Sequence, residues 1–121
     1  MLSGIAYRRI PANPNFYSVR KGQPGRFNFQ LNRARGEREL SMHWAEKVVS
    51  IEAICANHQG CGIAELSIEW LWEHGYRVTH TPDFDEPDHL SVWGLEGATD
   101  DALLEIAKAC RMKVLPQMPD P

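Results

Sequence analysis

No apolar run in this chain approaches the roughly 20 residues that a membrane-crossing helix needs, and no apolar core follows a basic head near its start as a secretory leader requires. Membrane classes drop out, and the cytoplasm is the expected compartment. Cysteine is scarce: Cys55, Cys61 and Cys110 are an odd, low count, which fits a reducing compartment and not a disulfide-stapled fold. The familiar catalytic signatures are missing too. There is no G-x-S-x-G elbow, no H-E-x-x-H helix, no glycine loop to cradle phosphate and no carboxylate ladder spaced for magnesium. Neither an internal repeat nor a low-complexity segment is present.

What the chain does have is ordinary globular material, with 43% hydrophobic and 24% charged residues in 121 positions, enough for one core and too little for two. A net charge of −3 hides a strong segregation. Residues 1 to 40 carry eight basic side chains against Glu37 and Glu39, a net of +6, and the remainder carries five against fourteen, a net of −9. Such asymmetry speaks about partners and solubility. The plain alternative is that the two halves pack together and neutralise each other.

The stretch from Tyr76 to Leu95 holds the densest signals. Tyr76, Val78 and His80 alternate with Arg77 and Thr79, and Leu90, Val92 and Trp93 form a second apolar run ending at Gly94, so two strands are expected. Pro82 and Pro87 fix φ and remove donors, which makes 81–88 a loop. A hairpin here brings His80 and His89 near each other, beside Asp83, Asp85, Glu86 and Asp88. Together Pro82, Pro87, His89, Val92 and Gly94 form a PxxxxPxHxxVxG pattern. With the Leu40-Ser41 strand upstream, the pattern resembles small uncharacterised bacterial proteins of roughly this length. That resemblance covers about half the chain and implies a stand-alone bacterial protein, with no known activity.

Elsewhere Pro11, Pro14, Gly22, Pro24 and Gly25 predict an irregular N-terminal arm over about 1–25, with one short strand near Phe16 to Val19. Phe27, Phe29 and Leu31 alternate with polar residues as a strand does, as do Leu40, Met42 and Trp44, and the two read as a hairpin. A competing reading runs one helix from Ser41 to His58. Ser50 caps a short helix from Ile51 to about Asn57, and Ile63 to Leu66 forms a short strand. Ser67 caps a helix that buries Ile68, Leu71 and Trp72 and stops at Gly75. Thr99 caps the last helix, with Asp100 and Asp101 in its positive first turn and Leu103, Ile106, Ala107 and Cys110 as its buried stripe. Leu103, Ile106 and Trp93 are expected in one core. An edge strand at Val114-Leu115 and a mobile tail over about 116–121 complete the chain. The fold class is α+β: a single domain with a mixed or mainly antiparallel sheet and two or three helices packed on one face.

Three constellations carry possible chemistry. Cys55, His58 and Cys61 offer zinc two sulfurs and an imidazole, with His43, His74 or Cys110 as a fourth ligand, although Cys55 and Cys110 equally suit buried helix faces. No cofactor is the expectation. His80 and His89 suit a general acid and base pair near neutrality, although His89 capping the loop through its backbone accounts for it without catalysis. The acidic loop lacks the spacing and central glycine of a calcium hand and reads as a solvated turn. The basic half places Arg8, Arg9, Arg20, Lys21, Arg33, Arg35 and Arg38 among Tyr7, Phe16 and Tyr17, a mixture suited to phosphates and bases. The leading expectation is therefore an accessory or interaction module whose basic half binds an acidic protein or a nucleic acid. The alternative is a small phosphodiester hydrolase working through His80 and His89, with Arg77 or Arg9 holding phosphate.

Overall fold

The structure is a computed structural model that describes residues 1–119. In chain order the strands are β1 (Ile5–Ile10), β2 (Tyr17–Ser18), β3 (Gln23–Pro24), β4 (Glu39–Trp44), β5 (Gly62–Ser67), β6 (Arg77–His80), β7 (His89–Trp93) and β8 (Arg111–Val114). Three α-helices join them: α1 (Ile51–Ile54), α2 (Ile68–Glu73) and α3 (Asp100–Ala109). Six strands form one sheet in the order β6-β7-β4-β1-β5-β8, every neighbouring pair antiparallel. β2 and β3 make a separate two-stranded ribbon. The molecule is thus α+β.

Residues read as part of an irregular arm occupy the centre of that sheet. β1 pairs with β4 on one side and β5 on the other. Two adjacent arginines conceal its alternation, because Arg8 and Arg9 fall within the run IAYRRI, yet Ala6, Tyr7 and Ile10 are buried. The expected short strand survives as β2. The alternating run Phe27 to Leu31 is not a strand but a 3₁₀ turn, Arg26–Phe29, leading into an extended link. Asn28 is the cause. Its side chain is buried, and its amide donates to the carbonyls of Phe16 and Gly25 at 2.7 and 2.9 Å. A buried amide is held where its hydrogen bonds are made, so the polar member of the alternation points inward and Phe27 is left largely exposed. β4 accordingly pairs with β1 and β7 instead of the 27–31 segment. It also excludes the single helix over 41–58.

One face of the sheet carries Ala6, Leu40, Met42, Leu66, Val78, Leu90 and Val92, and against it pack Ile68 and Leu71 of α2 and Leu103, Ile106 and Ala107 of α3, with Phe29 and Leu31. Both helices begin as the sequence indicates. Ser67 Oγ accepts from the Trp70 N–H, and Thr99 Oγ1 from the Ala102 N–H, at 3.2 and 3.1 Å. Gly75, at φ +86°, supplies the left-handed residue that ends α2. Trp93 does not join this core. Its register partners are Arg77 and Glu39, which puts it on the opposite face, where its indole N–H donates to Thr79 Oγ1 at 2.9 Å.

That opposite face is covered only in part. Ile54 packs with Tyr7 and Ile63, flanked by Ile51 and Val48. Apart from Trp93, the rest of the face is polar and opens into the clefts described below. At the C-terminal end Gln117 donates its N–H to Gly60 O at 2.8 Å, a Cβ at Gly62 would lie 2.7 Å from Pro116, and Met118 packs beside Ile10 and Tyr17, so 116–118 is fastened to the domain. Asp120 and Pro121, the remainder of the tail expected to be mobile, lie outside the described residues. Among the described residues no helix is long and apolar enough to cross a membrane.

Candidate active site

β1 and β5 pair along six residues, but β1 and β4 pair only at Ala6↔Trp44 and Tyr7↔His43. Beyond those two rungs the strands diverge, and the guanidinium of Arg8 fills the gap. Its Nε donates to Asn28 O at 2.9 Å and its Nη1 to Ser41 O at 2.7 Å, replacing a lost rung of the ladder. Burial, reinforced by the charge of Arg9 and opposed by Glu37, pulls Arg8 down to about 10. It is still a cation at neutral pH.

The divergence opens a cleft of about 290 Å³ lined by Arg8, Arg9, Ser41, His43, His58 and His89, with Glu86 and Phe16 at its edges. It shares Arg9, His43, His58 and Glu86 with a neighbouring cavity of about 460 Å³ that continues past Asp88 to Lys47 and Ala53. Arg9 stands where the two meet, its Nη1 3.5 Å from Ile54 O.

Strand geometry explains why these side chains converge. His43 of β4 lies directly opposite His89 of β7, and Ser41 opposite Ser91. Paired residues project to the same face and alternate positions along a strand do likewise, so Ser41, His43 and His89 share one wall. The loop 81–88 folds back over it through the reciprocal Asp83–Glu86 backbone bonds. Asp88 O accepts the Trp44 N–H at 2.7 Å, which sets Asp88 Oδ2 3.1 Å from His43 Nδ1, both side chains about 13% exposed. An ionised carboxylate only accepts, so Nδ1 carries the proton and Nε2 of His43 is left free of Asp88.

His89 is held as firmly. Its Nδ1 faces Thr81 Oγ1 at 2.7 Å and Thr81 O at 3.1 Å, and its Nε2 faces Ser41 Oγ at 3.0 Å. His80 is elsewhere. Its register partner is Leu90, so it projects to the helical face, where its ring meets Trp44 edge-on at 5.1 Å between centroids and its Nε2 donates to Pro87 O at 2.8 Å. The hairpin thus places the two expected imidazoles on opposite faces of the sheet, and the imidazole directly across the ladder from His89 is that of His43. The sequence did carry a signal for this, since the alternation of β4 puts Ser41 and His43 on one face. Which strand would lie beside β4 was not legible.

Neither family models, nor curated proteins, nor solved structures give a match to this chain.

The remaining candidates are dispersed. Cys55 and Cys61 form a disulfide, a pairing that the low cysteine count did not suggest, and cystine sulfurs are not zinc ligands. His58, the third of that set, lines the cleft instead. Among the described residues no cluster of three or more His, Cys, Asp or Glu side chains is arranged around a metal position. Of the basic residues, Arg20 and Lys21 sit exposed in the β2–β3 turn, and Arg33 and Arg35 on an exposed 3₁₀ turn (Arg33–Arg35). Arg38 lies 3.7 Å from Glu96, and Arg26 lies 3.6 Å from Asp100, so part of the basic half meets the acidic half within the fold. Tyr7 and Tyr17 are buried, and of the aromatic candidates Phe16 alone reaches the cleft.

Proposed function

We propose that this protein hydrolyses phosphodiester bonds in the cleft between β1 and β4, with His89 as general base and His43 as general acid. The observation that carries the reading is the cross-strand placement of His43 and His89 on one wall, His43 oriented by Asp88, beside the guanidinium groups of Arg8 and Arg9. Two imidazoles that differ in their partners can divide acid and base work near neutrality. Guanidinium groups in a part-buried cleft favour the anionic phosphoryl oxygens and the charge that grows on them in the transition state. His58, exposed at the rim, adds a further ring N–H donor.

Hydrolysis of bis(p-nitrophenyl) phosphate tests this directly. His43→Gln and His89→Gln should each lower kcat by about 10²–10⁴-fold. Wild-type turnover in both variants, or an inert wild-type protein, overturns the proposal.

A second reading is supported by the exposure of Arg20, Lys21, Arg33 and Arg35. In it the basic half binds an acidic partner, protein or nucleic acid, and the chain serves as an accessory module. Nucleic acid joins the two readings, since it presents both the phosphodiester bond and the anionic track.

A further inference from the structure

We propose that Ser41 is the nucleophile of this cleft, activated by His89; the inference rests on the reading of the cleft as a phosphodiesterase. Thr81 O can only accept, and it lies 3.1 Å from His89 Nδ1, so a bare Nδ1 would set two lone pairs against each other. Nδ1 therefore bears the hydrogen. Thr81 Oγ1, also facing Nδ1, is then free to donate its own hydrogen to the buried Ser91 Oγ, 2.8 Å away. The lone pair of Nε2 is left aimed at Ser41, whose Oγ–H donates to it across 3.0 Å. A nucleophile on a base, with the base oriented by a third group, is the arrangement that activates a serine hydroxyl.

The surroundings suit attack on an anion. Ser41 is exposed on the cleft wall, so an incoming phosphorus can reach Oγ. Its own carbonyl is fixed by Arg8 Nη1, which ties the nucleophile to a cation in the same wall. The packing requires no hydroxyl at this position: Ser91, directly across the ladder, is satisfied by Thr81 and is buried without any contribution from Ser41.

In the first step Ser41 Oγ bonds to phosphorus while its proton passes to His89 Nε2. The P–O bond to the leaving alcohol breaks, and that oxygen takes a proton from Nε2 of protonated His43. In the second step water attacks the phosphoserine and gives a proton to His43, the Oγ–P bond breaks, and Oγ recovers its proton from His89. The sum is a phosphodiester and water giving a phosphomonoester and an alcohol.

Diisopropyl fluorophosphate separates this inference from the one it rests on. Its phosphorus should bond to Ser41 Oγ with loss of fluoride, the proton going to His89, giving one adduct per chain on the peptide containing Ser41. Ser41→Ala should abolish the adduct and lower bis(p-nitrophenyl) phosphate turnover at least a hundredfold, and His89→Gln should slow labelling by a similar factor. Ser41→Cys places a thiol beside the same imidazole, and it should react with iodoacetamide at pH 6 at least tenfold faster than free cysteine. No adduct, an undiminished adduct in Ser41→Ala, or a Ser41→Cys thiol no faster than free cysteine overturns the nucleophile. Full phosphodiesterase activity in Ser41→Ala also overturns it but keeps His43 and His89 acting on water. Labelling of Ser41 in a protein inert toward the phosphodiester keeps the activated serine and overturns the phosphodiesterase.

Discussion

A single register position separates the two roles of histidine in the β6–β7 hairpin. His80 pairs with Leu90, and its neighbour in the sequence of rungs is what reaches the cleft. A one-residue offset sends a side chain to the opposite face, so the spacing that recommends His80 and His89 as a pair is the spacing that parts them. His80→Ala should leave phosphodiester turnover within about twofold of wild type. It should lower stability by about 1–2 kcal/mol, because Pro87 O loses its donor and Trp44 its edge contact. Urea denaturation beside an activity assay checks both, and lost activity with unchanged stability would return His80 to the site. Cys110 offers a second test at this scale. Burial pushes its thiol from the usual value near 9 up to about 12, so at pH 8 the folded protein holds roughly a thousandfold less thiolate there than the unfolded chain. The unfolded chain releases this proton first, so the group's contribution to stability is intact below about pH 9 and declines as the pH rises toward 12. Alkylation by iodoacetamide at pH 8 should be slower by two to three orders of magnitude in native protein than in urea, an order-of-magnitude expectation from that thiolate fraction; equal rates would refute the burial.

Elements whose ends are marked by caps were legible in the sequence, and those whose identity depends on distant partners were not. Ser67 and Thr99 announce α2 and α3 through a hydroxyl and an acidic first turn, signals complete within four residues. β1 is defined by what lies on either side of it. Its arginines obscure the local pattern, and only the sheet shows that Arg8 fills a gap between strands. The Arg26–Phe29 turn fails for a related reason, since the partners that hold Asn28 inside are Phe16 O and Gly25 O, the first of them twelve residues away. The candidate site inherits this division. The β6–β7 loop and His89 were visible, whereas His43 and Ser41 became partners only through the β4–β7 register. Because α3 is the best-marked element, its core contact should follow simple packing rules. Leu103 is 3% exposed and sits with Leu31, Leu95 and Ile106, so Leu103→Ala should cost about 2–4 kcal/mol. A chemical-denaturation midpoint unchanged by that substitution would show that the stripe carries little of the core.

Charge is the property of the whole chain that the fold reshapes most. An excess of +6 in the first 40 residues suggests one basic face, and a nucleic acid lying on it through four to six phosphates gives a log affinity against log salt slope of about −3 to −5. The structure distributes those cations differently. Arg8 bonds two carbonyls where β1 and β4 part and lines the cleft beside Arg9, whereas Arg26 and Arg38 approach Asp100 and Glu96. Arg20 and Lys21 share one turn, and Arg33 and Arg35 another. A single-stranded oligonucleotide held in the cleft through Arg9 and one further cation should release about 0.7 counterions per phosphate, for a slope near −1 to −2. Arg9→Gln should remove about half of it, whereas charge reversal at Arg33 and Arg35 should leave it nearly unchanged. Fluorescence anisotropy across a salt series reads the slope for each variant. A wild-type slope steeper than about −3 that flattens on reversing Arg33 and Arg35 would mean that the exposed cations act together, and it would favour the acidic-partner reading over the cleft. Surface pairs such as Arg38 with Glu96 are worth little in free energy, but they fix where positive potential remains, and by that measure the cleft is the place where cations, bases and a hydroxyl coincide.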